Sequence, residues 1–311
     1  MTKIDKPSII YMGTPEFAVP ALVALHEKYT VRAVVTIPDK PKGRGKKLAA
    51  SAVKEKAIEL GIPVLQPELL KDQAFIDALK SYEPDIMAVL AFRILPESVY
   101  SISKIATFNI HGSLLPKYRG AAPINHAILN GDKVSGLTSF VLEKQVDTGQ
   151  ILIKSPVDIL DGSTAGDLHD MLMPVAAQLG LDTCELLLSG DYTLLSQNDT
   201  EATPAPKVFR ENCGINWNAP AEQVRNFIHS VSPSPAAWTL WEGQRLKIMR
   251  VDFVADGSGS PGEFKIEDGQ FVVQCGKGSV SLIEIQVQGK KKMKTVDFWR
   301  GYRGDTSGKF E

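Results

Sequence analysis

Along the first 110 residues the apolar positions come in short, unbroken runs. Residues 8–12, 31–37, 62–65, 85–90 and 105–110 are each four to seven residues long and mainly apolar. Helical stretches lie between them. Thr14-Pro15-Glu16 reads as a helix start, with Thr14 as the cap and Pro15 at the first helical position. Residues 52–60, ended by Gly61, and residues 69–79 continue the helical pattern. Unbroken apolar strands separated by helices predict an α/β fold with a mostly parallel sheet buried on both faces. Two further runs, 137–142 and 150–157, flank Asp147-Thr148-Gly149 and read as an antiparallel pair added to that sheet.

The pattern changes near residue 190. Residues 190–206 are polar and contain Pro204 and Pro206, as a linker would. Beyond them about five short alternating runs in about 75 residues are separated by turns such as Asp256-Gly257, Asp268-Gly269 and Gly276-Lys277-Gly278. Such spacing predicts a small β-barrel or sandwich. The predicted organisation is an α/β domain over residues 1–189, a linker over 190–206 and a β-rich domain over 207–311.

Composition excludes several function classes. With 43% hydrophobic and 23% charged residues the chain is neither disordered nor fibrous. Its most apolar run, residues 86–92, is far shorter than the about 20 residues of a membrane span. Residues 1–7 show no apolar leader, so a soluble, cytoplasmic protein with no membrane association is expected. Cys184, Cys213 and Cys275 are scattered and form no CxxC pair, and no HExxH-like spacing occurs, so neither a disulfide frame nor a metal site is expected. The net charge of -1 excludes a globally basic nucleic-acid binder but leaves room for local patches. No interface signal is visible, and a monomer is the default expectation.

The densest polar cluster follows the run at 105–110. Asn109 and His111 are two apart and share one face of a strand. An amide and an imidazole converging where a strand meets a glycine-rich loop suit an oxygen that gains charge in acyl transfer. A single histidine is more often a core residue bonded to backbone; the neighbouring Asn109 tips the balance here. Spacing alone leaves Asp147 open between a turn aspartate and a third member of this cluster. Two basic clusters stand out: Lys40, Lys42, Arg44, Lys46 and Lys47 in one segment, and Lys290, Lys291 and Lys292 with Lys294 in the β-rich part. Charge runs are usually solvated loops, but one cluster in each domain fits a long polyanion.

The stretch Asn109-Ile110-His111-Gly112-Ser113-Leu114-Leu115-Pro116-Lys117-Tyr118-Arg119-Gly120-Ala121-Ala122-Pro123-Ile124 resembles the signature of the formyltetrahydrofolate-dependent formyltransferases. Gly13-Thr14-Pro15-Glu16-Phe17-Ala18, the basic loop, Ala205-Pro206-Lys207, Ile215-Asn216-Trp217 and Phe298-Trp299-Arg300-Gly301-Tyr302 resemble the branch of that family that acts on charged initiator tRNA. The resemblance implies a Rossmann-like catalytic domain, a linker and a C-terminal OB-like barrel. It implies transfer of a formyl group from 10-formyltetrahydrofolate to initiator methionyl-tRNA, with no metal. It implies a catalytic trio of Asn109, His111 and Asp147, and folate contacts from Leu90, Phe92, Ser113, Leu114, Leu115 and Pro116. It further implies tRNA contacts from Lys42, Arg44, Lys46, Lys47, Lys290, Lys291 and Lys292. A sugar-amine formyltransferase with the same catalytic loop is the alternative. One departure is visible: Ala91-Phe92-Arg93-Ile94-Leu95-Pro96 lacks the family's glycine after the aromatic residue. Arg93, which stands there, is expected to point into solvent, and the basic loop to be poorly ordered without a polyanion.

Overall fold

The computed structural model describes residues 6–42, 47–254, 259–267 and 269–311. In the first part, strands β1 (Ser8–Gly13), β2 (Thr30–Val35), β3 (Val64–Leu65), β4 (Ile86–Leu90), β5 (Ala106–His111), β6 (Val134–Val141) and β7 (Ile151–Asp158) form one sheet in the order β7-β6-β5-β4-β1-β2-β3. The pairs β1/β2, β1/β4, β2/β3 and β4/β5 are parallel, and β5/β6 is antiparallel. Val141 N–H donates to the Gln150 carbonyl at 3.0 Å and Gly136 lies against Ser155, so β6 and β7 also run antiparallel. The expected mostly parallel, Rossmann-like sheet is thus present, with the antiparallel pair added at one edge.

Every residue of β1 and β4 is buried, which is why both read as unbroken apolar runs. Ile10, Met12, Val35, Met87 and Val89 pack on Phe75, Ile76 and Leu79 of the helix Gln73–Ser81. That helix starts later than its apolar pattern suggests because the Asp72 side chain caps it by accepting the Ala74 N–H at 3.1 Å. The predicted cap at Thr14 is not formed. Glu16–Ala18 is a single 3₁₀ turn, and the helix Val19–Lys28 follows with proline in its first turn.

The helix Ala165–Ser189 is 25 residues long, with a mean hydropathy of 1.3 over its most apolar window, and among the described residues it alone has the length and composition to cross a membrane. The sequence reading, which looked for unbroken runs, passed it over. Leu168, Leu172, Ala176, Leu179, Thr183 and Leu187 are buried at helical spacing, the stripe of a helix packed on a core.

In the C-terminal part, β8 (Ala237–Trp241), β9 (Gln244–Val254), β10 (Glu263–Glu267), β11 (Gln270–Gln274), β12 (Ser279–Val287) and β13 (Ser307–Lys309) form an antiparallel sheet in the order β8-β9-β12-β11-β10-β13. Leu240 and Glu311 exchange backbone hydrogen bonds of 3.4 and 3.2 Å, which joins the end of the chain to β8 and closes the sheet into a barrel. Irregular register between Ile248 and Val251 helps β9 to bend. Trp241, Phe264, Phe271 and Phe310 fill the interior, and Trp217 stacks on Phe310 at 5.7 Å. The barrel is realised and the sandwich is not.

The chain divides into two compact units. One comprises Met1–Gly120, Ser135–Val157 and His169–Pro204; the other comprises Ala121–Val134, Asp158–Leu168 and Ala205–Glu311. The contiguous edges read from the sequence at 189 and 207 therefore differ from the compact units. The helix Pro123–Leu129 belongs with the barrel, where Asn125 donates to the Ser230 carbonyl at 2.6 Å.

Candidate active site at the carboxyl edge of the sheet

The chain winds outward from β1 to β3 and then returns to β4 on the other side of β1. In an open α/β sheet the crevice beyond the carboxyl ends at such a reversal is where ligands bind. Three turns emerge there: Gly13–Phe17 after β1, Ala91–Arg93 after β4 and Gly112–Gly120 after β5.

Asn109 and His111 lie on β5, with Asn109 opposite Phe140 and His111 opposite Thr138 of β6. His111 is buried, and its Nε2 lies 2.8 Å from the Tyr118 carbonyl. A carbonyl only accepts, so Nε2 carries the hydrogen in this arrangement and Nδ1 is the nitrogen left for exchange. Nδ1 lies 3.7 Å from Oδ2 of Asp147, which also accepts the Gly120 N–H at 2.9 Å. Asp147 itself has φ of 57°, in the left-handed region. Gly149, two residues on, is required: a Cβ there would lie 1.8 Å from the Val141 carbonyl oxygen. Among the described residues the Asn109 side chain has no hydrogen-bond partner, so its amide is available to a ligand.

The loop after β5 is tightly held. Thr138 Oγ1 accepts the Leu115 N–H at 3.0 Å and donates to the Ser113 carbonyl at 2.7 Å, while Ser113 Oγ donates to the Lys117 carbonyl at 2.6 Å. Ser113, Leu115 and Pro116 are buried, and Leu114 is half-buried. On the neighbouring strand Leu90 is buried opposite Ile110, and the chain turns at Ala91 with φ of 51° before the half-buried Phe92. Arg93 does not point into solvent. Its guanidinium donates to the carbonyls of Glu68 and Pro67 at 3.0 and 2.8 Å and lies 5.3 Å from the Phe92 ring centroid. Backbone carbonyls take its two terminal nitrogens while Nε is buried without a hydrogen-bond partner among the described residues, and no sequence pattern marks such partners.

Sequence reasoning missed Thr138 and the hold on Asp147 by residues of the 190–206 segment. The only signal for Thr138 was a polar Thr-Ser pair inside an apolar strand.

Of the basic positions, Arg44 and Lys46 lie outside the described residues, as do the side chains of Lys42 and Lys47, and with them the expectation of a poorly ordered loop. Lys40–Lys42 and Lys47–Ala49 pair as an antiparallel ribbon. At its base Asp39 bonds Lys54 Nζ at 2.7 Å and Gln66 Nε2 at 2.8 Å; the Lys54 bond holds its carboxyl below the usual carboxylate range. In the barrel unit Lys290, Lys291 and Lys292 are exposed, and Lys292 pairs with Glu284 at 3.1 Å.

At the carboxyl end of β5 an amide and an imidazole, with a carboxylate beside the imidazole, stand on the edge where a Rossmann-like sheet binds its ligands. The chain belongs to the formyl transferase family. It matches the family model described as "Formyl transferase" over residues 7–181 and "Formyl transferase, C-terminal domain" over residues 207–303. It is similar to the methionyl-tRNA formyltransferase of Porphyromonas gingivalis, 42% identical over 96% of this chain and 97% of that one. Among solved structures it resembles a methionyl-tRNA formyltransferase from Clostridium thermocellum, with a TM-score of 0.57 and 16% identity over 90% of this chain and 98% of that one. It also resembles WlaRD, a sugar 3N-formyl transferase, with a TM-score of 0.68 and 18% identity over 92% of this chain and 99% of that one. At those identities the two structural likenesses speak for the fold alone.

Proposed function

We propose that this protein transfers the formyl group of 10-formyltetrahydrofolate to the amino group of initiator methionyl-tRNA. The observation that carries the reading is the approach of Asp147 to His111 at the carboxyl end of β5, with Asn109 two residues before His111 on the same strand. Similarity over nearly the full length to relatives that bear this activity's name supports the choice of acceptor.

The residues beside the trio fit a folate donor. Leu90, Ala91 and Phe92 leave one strand end and Ser113, Leu114, Leu115 and Pro116 leave the next, so backbone polar groups and apolar side chains stand side by side. A flat pterin with donors and acceptors along its edge suits such a slot. When bound, 10-formyltetrahydrofolate supplies an activated formyl group. Asn109 then donates to the carbonyl oxygen as charge builds on it, an interaction worth about 3 to 4 kcal/mol of barrier in comparable sites. As the amine nitrogen bonds the formyl carbon, His111, oriented by the Tyr118 carbonyl, takes at Nδ1 the proton the amine releases and returns it to the folate nitrogen when the bond from that nitrogen to the formyl carbon breaks and tetrahydrofolate leaves. Asp147 balances the positive charge that this places on the imidazole. The basic residues Lys42, Arg44, Lys46, Lys47, Lys290, Lys291 and Lys292 serve the polyanionic acceptor. On this reading the enzyme works as a monomer in the cytoplasm.

The test is to incubate the protein with 10-formyltetrahydrofolate and, in turn, charged initiator tRNA, an amino-sugar nucleotide and no acceptor. Formylmethionyl product with the tRNA alone is expected. Transfer to the amino sugar and not to the tRNA overturns the reading in favour of the sugar-amine alternative.

A further inference from the structure

The stretch from 182 to 206 falls between the two family matches, yet it reaches the reacting cluster. Gln197 Nε2 donates to the backbone carbonyls of Asp147 and Gly149 at 2.9 and 2.8 Å. Its Oε1 accepts from Nε and Nη2 of Arg119 at 3.1 and 2.7 Å, and Nη2 also meets Asp199 at 2.7 Å. Both hydrogens and both lone pairs of the amide are therefore engaged. The circuit closes on itself, because the peptide after Arg119 gives the Gly120 N–H to the Asp147 carboxylate.

Asp147 needs such a hold. A non-glycine residue at φ of 57° persists where its surroundings over-determine it, and Gln197 grips the carbonyls on either side of the turn. The same segment fixes the other end of the cluster. Thr203 Oγ1 accepts the Tyr118 N–H at 2.9 Å and its carbonyl accepts the Arg119 N–H at 2.9 Å. Tyr118 is the residue whose carbonyl takes His111 Nε2.

We infer that Gln197 is a positioning residue for the transfer: together with Arg119 it locks the Asp147 turn so that the carboxylate faces His111 Nδ1. The inference rests on the reading of Asn109, His111 and Asp147 as the reacting groups. No other neutral side chain supplies two donors to two carbonyls while accepting from a guanidinium, apart from the shorter asparagine. Displacing a reacting group by about 1 Å costs about 10²-fold in rate, so a modest loosening of this turn is enough to matter.

The test uses the full chain with Gln197→Met, which keeps the volume and removes every hydrogen bond, and Gln197→Glu, which keeps the acceptors for Arg119 and removes the donors. Arg119→Lys, which keeps the charge but not the fork, is the second site. The deciding readout is the NMR signal of the His111 ring at fixed pH, which needs no substrate. Shifted His111 ring resonances are expected in each folded variant. In the formylation assay kcat should fall by about 10- to 10²-fold, with KM for the formyl donor nearly unchanged. His111 ring resonances superimposable on wild type in Gln197→Met or Arg119→Lys overturn the inference. Should the wild-type protein formylate no tRNA, the proposed function fails while the ring resonances still decide the role of Gln197.

Discussion

His111 and Asp147 meet with Nδ1 3.7 Å from Oδ2, while the far side of the imidazole is tied to the Tyr118 carbonyl at 2.8 Å. The two contacts divide the labour of the ring. One nitrogen is spent on orientation, and the other faces the carboxylate from inside a buried site, where charge interactions are screened less than in water. Asn109, on the same face of the same strand, is left as the neutral donor.

That division predicts different losses from the three side chains. Asn109→Ala removes a donor to the developing charge and should lower kcat by about 10²- to 10³-fold. His111→Ala removes the proton acceptor and should cost about 10²-fold or more. Asn109→Ala should leave the melting temperature close to wild type, whereas His111→Ala should also lower it, because a buried ring and its bond to the Tyr118 carbonyl are lost. A His111→Ala variant that formylates at the wild-type rate contradicts the assignment.

The turn that presents Asp147 depends on Gly149. A methyl group there would sit 1.8 Å from a main-chain oxygen of β6, which has no freedom to move aside within the sheet. Gly149→Ala should destabilise the protein by roughly 1 to 3 kcal/mol, the scale of overpacking. It should also depress kcat by displacing the carboxylate. Urea unfolding together with the formylation assay checks both effects, and a wild-type urea midpoint would contradict the account.

How much of this was legible in the sequence follows from what each feature rests on. β1 and β4 were legible to within a residue or two because strands buried on both faces are mainly apolar, and β5 from its mainly apolar run, although Thr107, Asn109 and His111 interrupt it. Asn109 and His111 were legible as a pair because the strand period is two. The setting of Asp147 was not, since it depends on a left-handed backbone and on Gln197, 50 residues away. Barrel closure through Leu240 and Glu311 was equally hidden, because backbone pairing leaves no mark on side-chain type. Arg93 was misread for the same reason.

Arg93 therefore carries a prediction about stability rather than binding. Arg93→Ala removes two charge-assisted bonds to carbonyls of the Pro67–Glu68 turn, and water replaces them because the turn is partly exposed. The loss should be roughly 1 to 2 kcal/mol, with KM for the folate donor nearly unchanged. Paired unfolding and steady-state measurements decide. A large rise in KM with unchanged stability would make Arg93 a ligand instead.

His229 sets an acid limit on the barrel unit. It is buried with Nε2 3.1 Å from the Val251 carbonyl, and burial pushes its pKa down from 6.5 to about 4, helped by Arg225 and Arg250. Between pH 6.5 and about 4 the unfolded chain takes up a proton that the folded one refuses. This contribution to stability is thus fully present above pH 6.5 and is lost as the pH falls through that window, by roughly 3 kcal/mol in all. Denaturation followed by the fluorescence of the four tryptophans, Trp217, Trp238, Trp241 and Trp299, should show that loss, and His229→Gln should flatten it. An unchanged pH slope in the variant would place the acid sensitivity elsewhere.

The last prediction concerns the acceptor. Lys40, Lys42, Arg44, Lys46 and Lys47 place five positive charges within eight residues, and Lys290, Lys291 and Lys292 form a second exposed group. Phosphate contacts draw affinity from counterion release, so tRNA binding should weaken steeply with salt. Each lost contact should reduce the slope of log K against log salt by roughly one unit. Arg44→Ala, Lys46→Ala and Lys47→Ala combined should therefore flatten the slope by up to about three units. Lys290→Ala and Lys291→Ala should remove up to about two more, whereas Lys292→Ala should matter less because Glu284 already compensates its charge. Folate binding should be unaffected by either set, since none of these residues belongs to the turns after β4 and β5. tRNA affinity measured across a salt series for wild type and both sets decides the matter. Superimposable slopes would reduce both clusters to solvated surface and strengthen the case for a small amine acceptor.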